Sequence, residues 1–257
     1  LTLDTLAGDV QNPRIAMDGT GKAMVLWEQV DTDLVFSIYA LKYAPASGWE
    51  VTPKLVETLK PVAGNPRLVM DTAGNVTAVW EQGGSIFSSY YTYATAVWSI
   101  PVLLENTNGT AANPELALAS TGDVFAVWYD VDSTGLIFSV YTNSLTKATG
   151  LWGAATVIST ITPGFAVGTS FLPQVATDAS GAAVAVWQHP TALGINNTFT
   201  SRYTAAAGWG AATALQTTSL TLTGDTPRAA MDGAGNAMAV WQQDDLTQTN
   251  IMARQYK

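Results

Sequence analysis

Cysteine is absent from the 257 residues and histidine occurs once, as His189. The first absence excludes disulfides and thiol chemistry and leaves the redox compartment open. The two together leave soft-metal centres and Ser-His-Asp catalysis short of the residues they need. Basic side chains are also scarce. Eleven Lys and Arg stand against twenty Asp and Glu, a formal charge of −9 that argues against nucleic acid and anionic membranes as partners. No apolar run approaches the roughly 18 residues of a membrane-spanning helix, so no membrane insertion is expected. The opening Leu1-Thr-Leu-Asp-Thr-Leu6 lacks the basic start and apolar stretch of a signal peptide, and the chain reads as a mature product or a fragment of a larger protein. Helical periodicity is missing throughout.

What is present is repetition. Asn12-Pro-Arg-Ile-Ala-Met-Asp-Gly-Thr-Gly-Lys-Ala-Met-Val-Leu-Trp27 returns in altered form from Asn65 to Trp80, Asn113 to Trp128, Leu172 to Trp187 and Thr226 to Trp241. Pro, Gly and Trp keep their places in all five copies. The Trp-to-Trp spacings of 53, 48, 59 and 54 residues belong to repeat architectures rather than to a chance match.

One copy reads as a set of four short strands. Arg14 to Asp18 is a strand entered at Pro13, where a missing N–H matters least. Asp18 to Gly21 is a tight turn, with Asp bonding its own backbone and Gly supplying a positive φ. Lys22 to Gln29 is continuously apolar from Ala23 to Trp27, as suits a strand covered on both faces. Phe36 to Tyr43 alternates as a third strand, and Lys54 to Leu59, beyond the Gly48-Trp49 turn, makes a fourth. Four strands per unit of about 50 residues is the description of a β-propeller blade. The predicted fold is all-β: a five-bladed propeller of four-stranded antiparallel blades forming a single domain over 1–257, with blade starts near Asn12, Asn65, Asn113, Leu172 and Thr226. Asp4-Thr-Leu6 matches Glu57-Thr-Leu59 in its offset from the following proline. Residues 1–9 are therefore expected to complete the last blade beside residues 250–256 and close the ring.

The repeated pattern Pro-x-hydrophobic-Ala-x-Asp-x-x-Gly-x-Ala-x-Ala-Val-Trp, followed by a strand ending in Tyr and a Gly-Trp turn, resembles the sialidase-like (Asp-box or BNR) bacterial propellers. The hallmark Ser-x-Asp-x-Gly-x-Thr-Trp box is reduced here to Ala44-Pro-Ala-Ser-Gly-Trp49 and Ala205-Ala-Ala-Gly-Trp209, which keep Gly-Trp and lose the Asp. Five blades is also similar to the architecture of certain small lectins and of arabinanase-type glycosidases.

Trp27, Trp80, Trp128, Trp187 and Trp241 each end an apolar strand and are expected to pack between blades. Trp49, Trp98, Trp152 and Trp209 form a second set, two of them in Gly-Trp turns; they have a structural use there, and could also present a ring face to a sugar. Asp18, Asp71, Asp178 and Asp232 are expected to cap hairpins. Two rings of polar residues are expected at the mouth of a central channel: Arg14, Arg67, Glu115, Gln174 and Arg228 after the prolines, and Gln29, Gln82, Asp130, His189 and Gln243 two positions beyond the tryptophans. Three arginines among them suggest a clamp for carboxylate or sulfate. Asp130, Asp132 and Thr134 have the opening spacing of a calcium loop, although Tyr141 stands where its last carboxylate belongs; otherwise no cofactor is implied.

The composition, rich in Ala, Thr, Ser, Gly and Trp, fits an exported bacterial protein at the cell surface, in the periplasm or outside the cell. No pair of facing carboxylates is evident, so a glycoside hydrolase is the weakest reading. The expected function is non-catalytic binding of carbohydrate or a surface glycoconjugate, lectin-like and multivalent, with a protein-binding scaffold or adhesion domain as the alternative.

Overall fold

A computed structural model describes residues 1–58, 60–135, 137–159, 172–190, 196–216, 224–244 and 247–256. Leu59, assigned by sequence to a fourth strand, lies outside them. All described regular structure is β, in five antiparallel sheets, and no helix among the described residues is long and apolar enough to cross a membrane. The chain divides into two compact units, 1–104 and 105–257.

The first unit holds two sheets. Sheet one runs β1 (Val10–Met17), β2 (Ala23–Val30), β3 (Phe36–Ala44), with β4 (Gly48–Trp49) and β5 (Lys54–Leu55) sharing the far edge of β3. Sheet two repeats this with β6 (Ala63–Met70), β7 (Val76–Gln82), β8 (Ser85–Thr92), β9 (Val97–Trp98) and β10 (Val102–Leu103). Strand β2 is buried from Ala23 to Gln29, as its unbroken apolar run requires. Met24, Leu26, Ile38 and Ala40 from sheet one meet Met70, Val76, Ala78 and Trp80 from sheet two, with Val56 of the connecting segment between them.

The second unit holds three. Sheet three comprises β11 (Thr110–Leu118), β12 (Val124–Val131), β13 (Phe138–Thr146), β14 (Leu151–Trp152) and β15 (Thr156–Val157). Sheet four comprises β16 (Gln174–Thr177), β17 (Ala183–Pro190), β18 (Asn196–Thr204), β19 (Gly208–Trp209) and β20 (Thr213–Ala214). Sheet five, among the described residues, has only β21 (Gly224–Met231), β22 (Ala237–Asp244) and β23 (Thr249–Tyr256). Val127, Val140 and Ile158 pack on Ala185 and Trp187, and Val186 and Leu215 pack on Ala239 and Trp241.

Four details depart from the sequence reading. The inner strand starts at Val10, because Asn12-Pro13 is a bulge lying between the pairs Gln11–Glu28 and Arg14–Leu26. A bulge leaves its extra residue outside the ladder, so Pro13 does not begin the strand but sits within it. The residue before each of the five repeat prolines is left-handed: Asn12 (φ 52°), Asn65 (50°), Asn113 (51°), Leu172 (24°) and Thr226 (45°). Asn tolerates that region; Leu and Thr do so only under strain. The fourth strand is broken into two pieces of two residues each, at the Gly-Trp turn and at Lys54–Leu55. Residues 1–9 form no strand. By offset only Leu1 and Thr2 match the two residues of β5, while Leu3 packs on Val25, Trp27 and Leu41 of sheet one.

The hairpin aspartates do what the sequence predicts. Asp18 Oδ1 accepts from the backbone of Thr20 and Lys22, at 2.8 and 3.0 Å, and Asp71, Asp178 and Asp232 repeat the arrangement.

Candidate functional site

The strand-two tryptophans are structural. Trp27, Trp80, Trp128 and Trp187 each stack on the aromatic residue directly opposite, at 6.2–6.4 Å between centroids. The residue two positions on, assigned by sequence to a channel mouth, proves in three sheets to be the tryptophan's partner. Gln29, Gln82 and Gln243 accept the indole N–H of Trp27, Trp80 and Trp241 at 2.9, 3.1 and 3.0 Å. Gln29 and Gln82 are buried, and their amide N–H groups bind the backbone of the preceding segment at Leu6 O and Pro61 O. A glutamine can accept at one end and donate at the other, so one side chain ties strand two to the segment that enters its sheet. The fixed Trp-x-Gln spacing was the sequence signal for this clamp, and polarity alone disguised it.

Sheet three breaks the clamp. Asp130 takes the glutamine's place and accepts instead from the Thr107 hydroxyl at 2.6 Å, and Trp128 Nε1 finds no acceptor among the described residues. Burial pushes the Asp130 carboxyl above its usual range, against the bond from Thr107 and with help from nearby Asp132. His189, the counterpart in sheet four, is buried with its ring edge-on to Phe199.

Of the residues after the prolines, Arg14, Arg67, Glu115 and Arg228 lie mid-strand and Gln174 opens β16. Arg14, Arg67 and Arg228 each fold back to donate Nη1 to the carbonyl of the preceding proline, at 3.3, 3.0 and 3.3 Å, and Gln174 does the same through Nε2 at 2.9 Å. Glu115 sits at the same bulge in sheet three. Asp132 spends its carboxylate on the Thr134 hydroxyl and on Ile137 N–H within its own loop. Thr134 and Asp132 are thus bonded to each other while Asp130 turns to Thr107, and among the described residues no group of three His or acidic side chains could hold a metal ion.

The second set of tryptophans face their cross-strand partners: Trp49 on Tyr43, Trp98 on Tyr91 and Trp209 on Tyr203 are tilted pairs at 5.1–5.6 Å, whereas Trp152 faces Leu145. At Trp209 there is also open space. A cavity of about 490 Å³ lies between sheets three and four, walled by Asn143, Ser144, Thr156, Tyr203, Trp209 and the small residues around them. Tyr203 and Trp209 rest on buried Phe125, at 4.9 and 6.2 Å, in edge-on geometries. Asn143 is fixed by its bond to Gly153 O, and Thr142 by its bond to Ala126 O. A second, smaller cavity of about 150 Å³, touching Asp123, Thr146, Ser180 and Ala205, shares Ser144 and Tyr203 with the first. Apolar rings braced from behind and a rim of hydroxyls and backbone are the makings of a site for a small polar molecule with an apolar face.

No known family model matches the chain, and no curated sequence matches it. Solved structures do, at low identity. The Hadza microbial sialidase Hz136 aligns with a TM-score of 0.56 at 14% identity, over 95% of this chain and 56% of its own. The polysaccharide lyase PL25 ulvan lyase aligns at 0.62 and 10%, over 95% and 66%. A Penicillium chrysogenum α-L-arabinanase complexed with arabinobiose aligns at 0.52 and 14%, over 91% and 77%. The chain therefore spans little more than half of the sialidase and two-thirds of the lyase. The likeness is one of fold: an all-β propeller of the sialidase-like kind.

Proposed function

We propose that this chain is a carbohydrate-binding module and that its sugar site is the groove between sheets three and four. Trp209 carries the reading. It is half-buried, braced by Tyr203 and Phe125, and forms one wall of a cavity large enough for a sugar ring. Aromatic faces stack on the C–H faces of sugars while hydroxyl and backbone groups meet the sugar hydroxyls. The sialidase, the ulvan lyase and the arabinanase are each named for a glycan, which favours the same ligand class here. Binding is favoured over hydrolysis because glycoside cleavage needs two carboxylates about 5–9.5 Å apart, and among the described residues the lining of the two cavities contains one, Asp123 of the smaller cavity.

On this reading the Gly-Trp turns are remnants of Asp-boxes, and the whole chain is one five-bladed ring acting outside the cytoplasm.

Titration of neutral and acidic oligosaccharides by calorimetry tests the function. Trp209→Ala should weaken binding roughly tenfold or more, about 1.4 kcal/mol, while Trp49→Ala, at the equivalent turn of sheet one, leaves it unchanged. Equal loss in both variants, or none in either, removes the groove as the site. A folded protein that binds no sugar moves the assignment to a protein-binding scaffold.

A further inference from the structure

The sheets are copies of one another, so each position has counterparts that show what normally fills it. Ser144 lies opposite Phe125, three residues before the strand-two tryptophan. Its counterparts, opposite Met24, Thr77, Val184 and Met238, are Lys42, Tyr90, Arg202 and Gln255. These are large, and two of them bridge to the next sheet. Lys42 Nζ binds Glu50 Oε1 at 2.9 Å and stands 5.1 Å from the ring centre of Tyr93 in sheet two. Arg202 Nη2 donates to Gly235 O in sheet five at 3.0 Å. Tyr93 lies two residues beyond Tyr91, the partner of Trp98; the same count from Tyr203, the partner of Trp209, reaches Ala205. Between sheets three and four both halves of the Lys42–Tyr93 contact are thus replaced by small residues, Ser144 and Ala205. Both of them line cavity: Ser144, with Tyr203, borders both spaces, and Ala205 the smaller one.

Taking the carbohydrate reading as its basis, we infer that the Ser144–Ala205 gap is a specificity-determining opening for a neutral glycan of at least two units laid across Tyr203. One unit stacks on Trp209 in the larger cavity; its neighbour reaches the hydroxyls of Ser144, Thr146 and Ser180 and the carboxylate of Asp123 in the smaller one. The ligand is neutral because, among the described residues, the larger cavity is lined by no basic or acidic side chain and the smaller one by a single acid. A sulfate or uronate there would lose its water without gaining a counter-charge. The net charge of −9 repels such ligands at long range as well.

The test uses the whole chain and calorimetry with arabinobiose, xylobiose and cellobiose, their monosaccharides, and sialyllactose and digalacturonate as anionic probes. Ser144→Arg and Ser144→Lys install residues the fold already carries at this position. Both are expected to melt like the parent and to lose at least about tenfold in affinity for the neutral disaccharide that binds best. Ala205→Tyr should abolish the gain of disaccharide over monosaccharide and leave the monosaccharide affinity in place. Tighter binding of the anionic probes, or parental disaccharide affinity in folded Ser144→Arg and Ala205→Tyr, overturns the inference. Binding lost in Trp209→Ala yet indifferent to both fillings leaves the carbohydrate reading standing and removes this one. A parent protein that binds none of these sugars removes both.

Discussion

Replacing Asp130 by Gln should stabilise the protein by restoring the clamp that sheet three lacks. Trp128 is fully buried, and its indole N–H has no acceptor among the described residues. Leaving a buried donor unpaired costs about 1–3 kcal/mol. In three sister sheets a Gln at this position meets the indole at 2.9–3.1 Å. The substitution also removes a carboxylate that burial makes reluctant to ionise. Against this stands the loss of the Thr107 bond, discounted to about 1 kcal/mol because Thr107 is half-exposed and its hydroxyl can return to water. The net expectation is a gain of about 1 kcal/mol, or about 2–4 °C in melting temperature for a chain of this size. Urea denaturation followed by far-ultraviolet circular dichroism measures it.

The sharper readout is the coupling with Trp128→Phe, which removes the N–H and keeps an aromatic ring. In the parent that change forfeits no indole bond; in Asp130→Gln it forfeits one. The coupling should be about 1 kcal/mol. The pH dependence has a fixed sign. A carboxyl whose folded pKa is raised holds its proton longer in the folded state, so the parent loses stability as pH rises from the unfolded value through the folded one. The advantage of Asp130→Gln should therefore be largest at neutral pH and shrink on acidification. A coupling of zero, or a destabilised variant with no such pH trend, refutes the reasoning.

Two other outcomes follow from the packing and the turns. Deleting residues 1–8 strips Leu3 from Val25, Trp27 and Leu41 and takes away the Leu6 carbonyl that Gln29 binds; a loss of about 2 kcal/mol, roughly 4–8 °C, is expected by thermal melting, and an unchanged melting temperature refutes the weight given to these contacts. Asp18 and Asp178 are held below the usual carboxylate range: burial raises each, but hydrogen bonds from Thr20 and Lys22, or from Ser180 and Ala182, outweigh it. Their contribution should be complete above about pH 4 and lost as pH falls through the lowered values. The double variant Asp18→Ala, Asp178→Ala should thus be weaker at pH 7 and show a flatter acid limb in urea midpoints, whereas a parental acid limb would discredit the assignment.

The architecture was legible because it is written in spacing. Pro, Gly and Trp at fixed offsets foretold five sheets, and Asp18 and its counterparts foretold the hairpin caps. What stayed hidden depended on the reach of side chains. Gln29 and Gln82 look like offered polar groups in the sequence, and only the fold reveals that each is consumed between an indole and a carbonyl. The groove was less legible still. Trp209 was singled out with three sister tryptophans, and nothing in those four residues distinguishes it. The distinction lies in Ser144 and Ala205, small residues that carry no chemistry of their own and matter for the space they leave. Aligning the copies strand by strand, rather than turn by turn, exposes that substitution.

The glutamine clamp also bears on how the molecule comes apart. The segment after sheet one is fastened twice: Val56 N–H and the Glu57 carboxylate bond to Ile38 of sheet one, and Pro61 O receives the Gln82 amide of sheet two. Such a segment is common property of two neighbours. A nearest-neighbour chain in which the joints are stronger than the links does not fray sheet by sheet. Opening one sheet strips the clamp from the next, so hydrogen exchange of the strand-two amides within a unit should share a single opening event.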